Sequence, residues 1–200
     1  GIVMIYIHNH ILGDVDDGPK SIEESIFLLE QAKSEGVTDI VATPHHLHPR
    51  YDNNIQVVKE KLKELRNKEQ IEQLGINLYT GQEIRVTDQI IDGIHNGKID
   101  GINNSKYLLL EFPSNDVPHY THKLFYELQT MGYVPIIAHP ERNKAITENL
   151  DILFDLVNGG ALSQITSSSL LGDFGRGVKK ISLQMIDNNL THFVASDAHS

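Results

Sequence analysis

Cysteine is absent from this chain. That removes disulfides, cysteine-ligated zinc and every mechanism built on a thiolate nucleophile, including that of the cysteine-dependent phosphatases. It fits a reducing compartment, so a cytoplasmic location is expected. No apolar run approaches the length of a membrane span and no signal-peptide pattern opens the chain, so no membrane insertion is expected. Met4-Ile5 reads like a natural start. An excess of positive charge is missing too. The formal net charge of -10 argues against general nucleic-acid binding. Bound cations would offset part of it wherever carboxylates act as ligands. No low-complexity segment, linker or composition break interrupts the sequence, so residues 1–200 are expected to form one domain.

What is present is an alternation of strand and helix patterns. Ser21-Ile22-Glu23-Glu24 is a capping box, with Ser21 at N-cap and Glu24 at N3. Ile22, Ile26 and Leu29 follow at helical spacing, and Gly36 ends the helix. The apolar run 37–43 predicts a buried strand. Residues 55–73 predict one charged helix with Val58, Leu62 and Leu65 on its apolar face. Further strands are expected at the first apolar run and near 77–82, 106–112, 133–139, 161–166 and 191–196. Helices are clearest at 119–131 and 178–189. Seven strands with intervening helices imply a parallel sheet with right-handed crossovers. Continuous apolar strands such as Ile136-Ile137-Ala138 imply burial on both faces.

Eight acidic or histidine side chains close these strands: His8, His10, His45, Glu83, Glu111, His139, Asp197 and His199. On parallel strands they converge at one edge. Imidazole and carboxylate are the donors that first-row divalent metals prefer, so a multi-metal centre is expected. A closed or nearly closed barrel fits best, because barrel enzymes place their chemistry at the carboxyl ends of strands. An open doubly wound sheet would gather ligands at one switch point only.

Each position has a bland reading as well. His8 and His10 at i, i+2 share a strand face, where Tyr6 joins them, but an H-x-H pair also occurs in surface loops. Asp14, Asp16, Asp17 and Gly18 read as a turn. In Thr43-Pro44-His45-His46, one histidine can point inward while the other faces out. His46 and His48 are expected as solvated loop residues. Glu83 and Glu111 end apolar strands, where a carboxylate is costly unless paired or bound to a cation. Arg85 is a candidate partner for Glu83. Arg142 lies three residues beyond His139 and offers a planar fork suited to a phosphate; its bland reading is a surface pair with Glu141. His95, His119, His122 and His192 are read as structural.

In order, I-H-N-H, D-D-G, T-P-H-H, G-Q-E-I, L-L-E-F-P, A-H-P-E-R and S-D-A-H resemble the PHP (polymerase and histidinol phosphatase) superfamily. More narrowly, they resemble the bacterial manganese-dependent protein-tyrosine phosphatases of capsule and exopolysaccharide loci, the CpsB/CapC group. The likeness runs from Met4 to Ser200. It implies an α/β fold, a distorted seven-stranded β/α barrel of the PHP type holding up to three Mn2+ or other divalent ions. It implies that His8, His10, Glu83 and Asp197 hold the first ion, and that Glu83 bridges to a second completed by Glu111 and His139. Asp17, His45 and His199 would hold the third. Arg142 matches the family's phosphate-contacting arginine. Two departures stand out: Tyr6 replaces the usual aspartate before I-H-x-H, and the family's further terminal segment, with another phosphate-binding arginine, does not follow Ser200. The chain is therefore expected to be truncated at its C terminus.

The implied activity is hydrolysis of phosphotyrosine on a protein, the tyrosine-rich tail of an autophosphorylating capsule-assembly kinase. Asp197 or His199 would help to protonate the leaving phenolate. Rival readings are a histidinol-phosphatase-like enzyme acting on small molecules, a metal-dependent amidohydrolase, and a regulator that binds phosphotyrosine without turnover.

Overall fold

A computed structural model describes residues 3–8 and 22–197, with side chains described from 22 to 196. Its strands are β1 (Val3–His8), β2 (Asp39–Ala42), β3 (His45–His46), β4 (Asn77–Thr80), β5 (Glu83–Arg85), β6 (Tyr107–Glu111), β7 (Val134–Ala138), β8 (Leu162–Thr166) and β9 (Phe193–Asp197). Seven of them fall on the seven runs read from sequence. The two additional strands, β3 and β5, are short and follow Pro44 and Gly81-Gln82. At each place the chain turns and then pairs again. The described residues fall into two compact units.

One unit comprises 6–8, 22–84, Gln89–Ser105 and Asp197. In it β1 pairs with β2 (His8 opposite Ala42), β2 with β4 (Ala42 opposite Thr80) and β3 with β5 (His45 opposite Glu83), all parallel. Its first helix, Ile22–Ser34, stops as the sequence predicts. Gly36 takes φ 88°, where a Cβ would be strained, and Val37 N–H returns to Ala32 O. Ser21, the proposed cap, lies outside the described residues. The stretch 55–73 is two helices rather than one, Ile55–Arg66 and Glu69–Leu74. The first is capped by Asn54, whose side chain accepts from Val57 N–H. Lys68 then adopts an extended backbone, which re-aims the second helix and buries Ile71. Val58, Leu62 and Leu65 are buried as their spacing requires, packed with Leu29, Ile40 and Leu78. Each such side chain stabilises the fold by roughly 1.5–3 kcal/mol.

The other unit comprises 3–5, Arg85–Asp88 and Lys106–Ser196. β6, β7, β8 and β9 pair in that order, all parallel, with Leu110 opposite Ile137, Ala138 opposite Gln164 and Thr166 opposite Ala195. The helix Thr121–Thr130 links β6 to β7, and Arg176–Asp187 precedes β9. Leu108, Leu109 and Leu110 are buried in succession. Alternate side chains leave a strand on opposite faces, so both faces of this sheet are covered. The register brings Glu111, Ala138 and Thr166 to one edge, and His139 follows there. Among the described residues, no helix is long and apolar enough to cross a membrane.

Candidate metal centre

The first group of donors is made by β3 and β5. Their register sets His45 opposite Glu83, so both side chains leave on the same side. His45 Nδ1 lies 4.0 Å from Glu83 Oε2, and both residues are buried. Four local devices hold them. Gly81 runs against β2 so closely that a Cβ would meet Thr43 Cγ2 at 3.0 Å and Ala42 O at 3.2 Å. Gln82 Nε2 donates to Asn53 O (2.8 Å) and Lys98 O (2.9 Å). Asn53 Nδ2 donates to His45 O at 2.9 Å, while Glu83 N–H donates to Pro44 O at 3.0 Å. The His48 ring stands 4.7 Å from that of His45, and its Nδ1 accepts from Arg50 N–H.

His46 departs from expectation. It is buried rather than solvated, with Nδ1 2.9 Å from Asp52 Oδ1. Burial lowers its pKa, and the Asp52 charge opposes that shift in part. Adjacent strand residues face opposite ways, so His46 leaves the side that His45 shares with Glu83. Its outward face is covered, which the motif alone does not reveal.

The second group stands at the ends of β6 and β7. His139 Nε2 is 3.1 Å from Glu111 Oε2, and Arg85 Nε donates to Glu111 Oε1 at 3.2 Å. Arg85, considered a partner for Glu83, thus serves Glu111. The reason is its place at the end of β5: the next residue, Val86, donates its N–H to Glu111 O, which brings Arg85 beside that carboxylate. His139 has φ 34° and ψ 55°, a left-handed backbone rarely used by residues other than glycine. Such a conformation costs on the order of 1–3 kcal/mol and is retained where surrounding structure fixes it, commonly at functional sites. Here His139 N–H donates to Gln164 O at 2.7 Å.

Beside this group, Arg142 Nη2 donates to Thr166 Oγ1 at 2.9 Å, and its guanidinium lies 4.2 Å over the Phe174 ring. Glu141 is fully buried; its Oε2 accepts from Thr166 N–H at 3.0 Å and lies 3.1 Å from Thr166 Oγ1. Thr166 Oγ1 is also 2.9 Å from Ser169 Oγ. Arg142 is therefore a built-in residue of this edge, in contrast to a surface arginine. Thr166 was overlooked in the sequence, although a hydroxyl closing the run 161–166 carries the same strand-end signal as Glu111. Gln82 and Asn53 carry no comparable signal. His192 is structural, as expected: its Nδ1 accepts from Ser163 N–H.

His8 is the last residue of β1 and Asp197 of β9; the structure describes their backbone only. His10, Asp17 and His199 lie outside the described residues. The donors that are described suit a divalent metal by chemistry and by spacing. Two donors on one ion, each about 2.1 Å from it, stand at most about 4.2 Å apart, a limit that the 3.1 Å between Glu111 and His139 respects.

Known proteins share this arrangement of sequence and fold. Residues 4–200 match the family model described as capsular polysaccharide synthesis, CpsB/CapC. CapC of Staphylococcus aureus is 73% identical over 197 residues, covering 98% of this chain and 77% of that protein. The tyrosine-protein phosphatase YwqE of Bacillus subtilis is 44% identical, over 98% of this chain and 78% of its own. CpsB of Streptococcus agalactiae, also a tyrosine-protein phosphatase, is 30% identical over 98% and 83%. A solved structure superimposes with a TM-score of 0.92 at 44% identity, covering 98% of this chain and 80% of the other. It comes from work on YwqE of Bacillus subtilis and CpsB of Streptococcus pneumoniae, described as unique metal-dependent tyrosine phosphatases. The chain belongs to the CpsB/CapC family of capsular polysaccharide synthesis.

Proposed function

We infer that this chain is a metal-dependent protein-tyrosine phosphatase acting in capsular polysaccharide synthesis. The observation that carries this reading is the Glu111–His139 pair at 3.1 Å with Arg142 fixed on the same strand edge. A metal-binding donor pair and a phosphate-gripping fork stand side by side. The tyrosine phosphatases among its relatives favour phosphotyrosine over a small-molecule phosphate.

The finer reading is a single PHP-type domain, a distorted seven-stranded barrel, binding up to three Mn2+ ions. His8, His10, Asp17, His45, Glu83, Glu111, His139, Asp197 and His199 are the proposed ligands, with Glu83 shared between two ions. When bound, divalent ions supply Lewis acidity to the phosphate oxygens and lower the pKa of a coordinated water. The residues of the chain do the rest. Glu83 and Glu111 contribute the buried negative charge that draws cations into the site. Arg142 grips the equatorial phosphate oxygens in a planar fork and stabilises the charge that grows there. Water attacks phosphorus in line and gives up a proton, the bond to the tyrosyl oxygen breaks, and that oxygen takes up a proton; Asp197 or His199 would help to deliver it, a role that metal ligation limits. The substrate is the tyrosine-rich tail of a capsule-assembly kinase, met in the cytoplasm.

The test is elemental analysis combined with turnover of a phosphotyrosine peptide under added manganese, against histidinol phosphate as competitor. Bound metal with phosphotyrosine turnover is the expected result. Binding without turnover would leave only a phosphotyrosine-recognising regulator, and a preference for histidinol phosphate would return the small-molecule reading.

A further inference from the structure

Phe174 sits in a turn, 172–175, between the helices Ser167–Leu171 and Arg176–Asp187. The turn is tightly specified. Gly172 and Gly175 have φ 89° and 98°, where a side chain would be strained. Asp173 N–H donates to Ser168 O and Gly175 N–H to Gly172 O, both at 3.0 Å. The backbone under Phe174 is thus fixed, and the residue is 48% exposed. Turns usually take polar residues, and a lone exposed apolar side chain needs no explanation by itself. This one is distinguished by what it touches: the Arg142 guanidinium lies 4.2 Å over its ring.

We propose that Phe174 is a specificity-determining residue, packing against the aromatic ring of an aryl phosphate whose phosphate is gripped by Arg142. The inference rests on the reading of Arg142 as a phosphate contact. A guanidinium donates its hydrogen bonds in its own plane, so a phosphate meets its edge. Phe174 covers a face of the same group, and phosphate and ring do not compete for one position. Thr166 takes Nη2 from another side, which keeps the fork oriented. An ester substituent that leaves the guanidinium plane on the Phe174 side turns toward that ring. A tyrosyl ring there meets an exposed phenyl group, and aromatic pairs gain from offset or edge contact. An alkyl phosphate has no ring to offer and gains nothing.

The experiment measures binding of phenylphosphonate, methylphosphonate and inorganic phosphate, none of which the enzyme can hydrolyse, to the manganese-loaded protein by calorimetry. For Phe174→Ala, the phenylphosphonate Kd should rise roughly five- to tenfold, while the other two ligands stay within about twofold. Phe174→Leu, which keeps an apolar turn without a ring, should lose most of the same selectivity, and Phe174→Trp should keep it. The KM for a phosphotyrosine peptide should rise in parallel with little change in kcat. Equal weakening of all three ligands would overturn the proposal and reduce Phe174 to packing for Arg142. So would no change in either the Ala or the Leu variant. Arg142→Ala separates the underlying reading: it should weaken all three ligands alike. If it weakens none, the Arg142 assignment fails, and the phenyl-to-methyl ratio in the Phe174 variants still decides the ring contact.

Discussion

Arg142 and Glu141, neighbours in the chain, are linked through one hydroxyl: Thr166 Oγ1 accepts from Arg142 Nη2 at 2.9 Å and lies 3.1 Å from Glu141 Oε2. A hydroxyl has one proton and two lone pairs, so it can accept from the guanidinium while donating to the carboxylate. Glu141 is fully buried, and its Oε1 has no hydrogen-bond partner among the described residues. Thr166→Val should therefore destabilise the fold by about 1–3 kcal/mol, the usual penalty for a buried polar group that loses a partner. It should also raise the KM for aryl phosphates, whereas Thr166→Ser should restore both. Urea unfolding and steady-state kinetics check this. A valine variant with wild-type stability and KM would mean that the hydroxyl positions nothing.

Removing the guanidinium itself should act on chemistry without touching metal. An arginine side chain is always cationic and is no ligand. Arg142→Ala should keep its metal content and lose roughly 2–4 kcal/mol of transition-state stabilisation, the scale of one oxyanion donor. Arg142→Lys should recover part, because a point charge replaces a fork. If the alanine variant turns over and is inhibited by phosphate as wild type, Arg142 is no phosphate contact.

Glu83→Ala should be the most damaging change among the proposed ligands. Its carboxylate is buried, faces His45, and is proposed to serve two ions. Metal analysis should show more than one ion per chain for wild type and a clear loss for the variant, with the fold retained. Full activity in Glu83→Ala, or one ion or fewer in manganese-saturated wild type, would defeat the multi-metal reading.

The parts of the fold legible in the sequence were those set by local periodicity. The seven long strands and the faces of Leu62 and Leu108–Leu110 follow from apolar spacing. The strand-end logic singled out Glu83, Glu111, His139 and His45, which the structure sets in two close pairs, because a buried carboxylate or imidazole at a strand end is conspicuous. What escaped depends on contacts made across the sequence. His46 looked solvated because nothing local shows that it is covered. Arg85 went to Glu111, 26 residues away, through pairing that no motif encodes. Phe174 meets Arg142 only after three helices and a strand have been placed. The break at Asn67 and Lys68 escaped because the charged run 55–73 satisfies helical periodicity on both sides of it.

Inhibition should follow metal and ignore thiol chemistry. The chain has no cysteine, so thiol-modifying reagents should leave phosphatase activity unchanged. Chelators should abolish it, and added manganese should restore it. Activity that survives exhaustive metal removal would exclude this mechanism.

Arg85 offers the sharpest test of how the second donor group is supported. Its Nε donates to Glu111 Oε1 at 3.2 Å, leaving Oε2 beside His139 Nε2 at 3.1 Å. The two carboxylate oxygens thus have separate tasks: one is anchored, and the other shares its position with an imidazole that can bind metal. An anchored carboxylate loses less freedom when an ion arrives, but its charge is partly satisfied already by the guanidinium. The two effects oppose each other. Partners that orient metal ligands typically prove net favourable, and losing one costs about 10–100-fold in metal affinity. Arg85→Ala should accordingly weaken manganese binding by that factor, and Arg85→Lys should recover part of it. Phosphate inhibition measured at saturating metal should stay near wild type, because Arg142 and its partner Thr166 are untouched. Tighter manganese binding in Arg85→Ala would show instead that the guanidinium competes with the ion for Glu111.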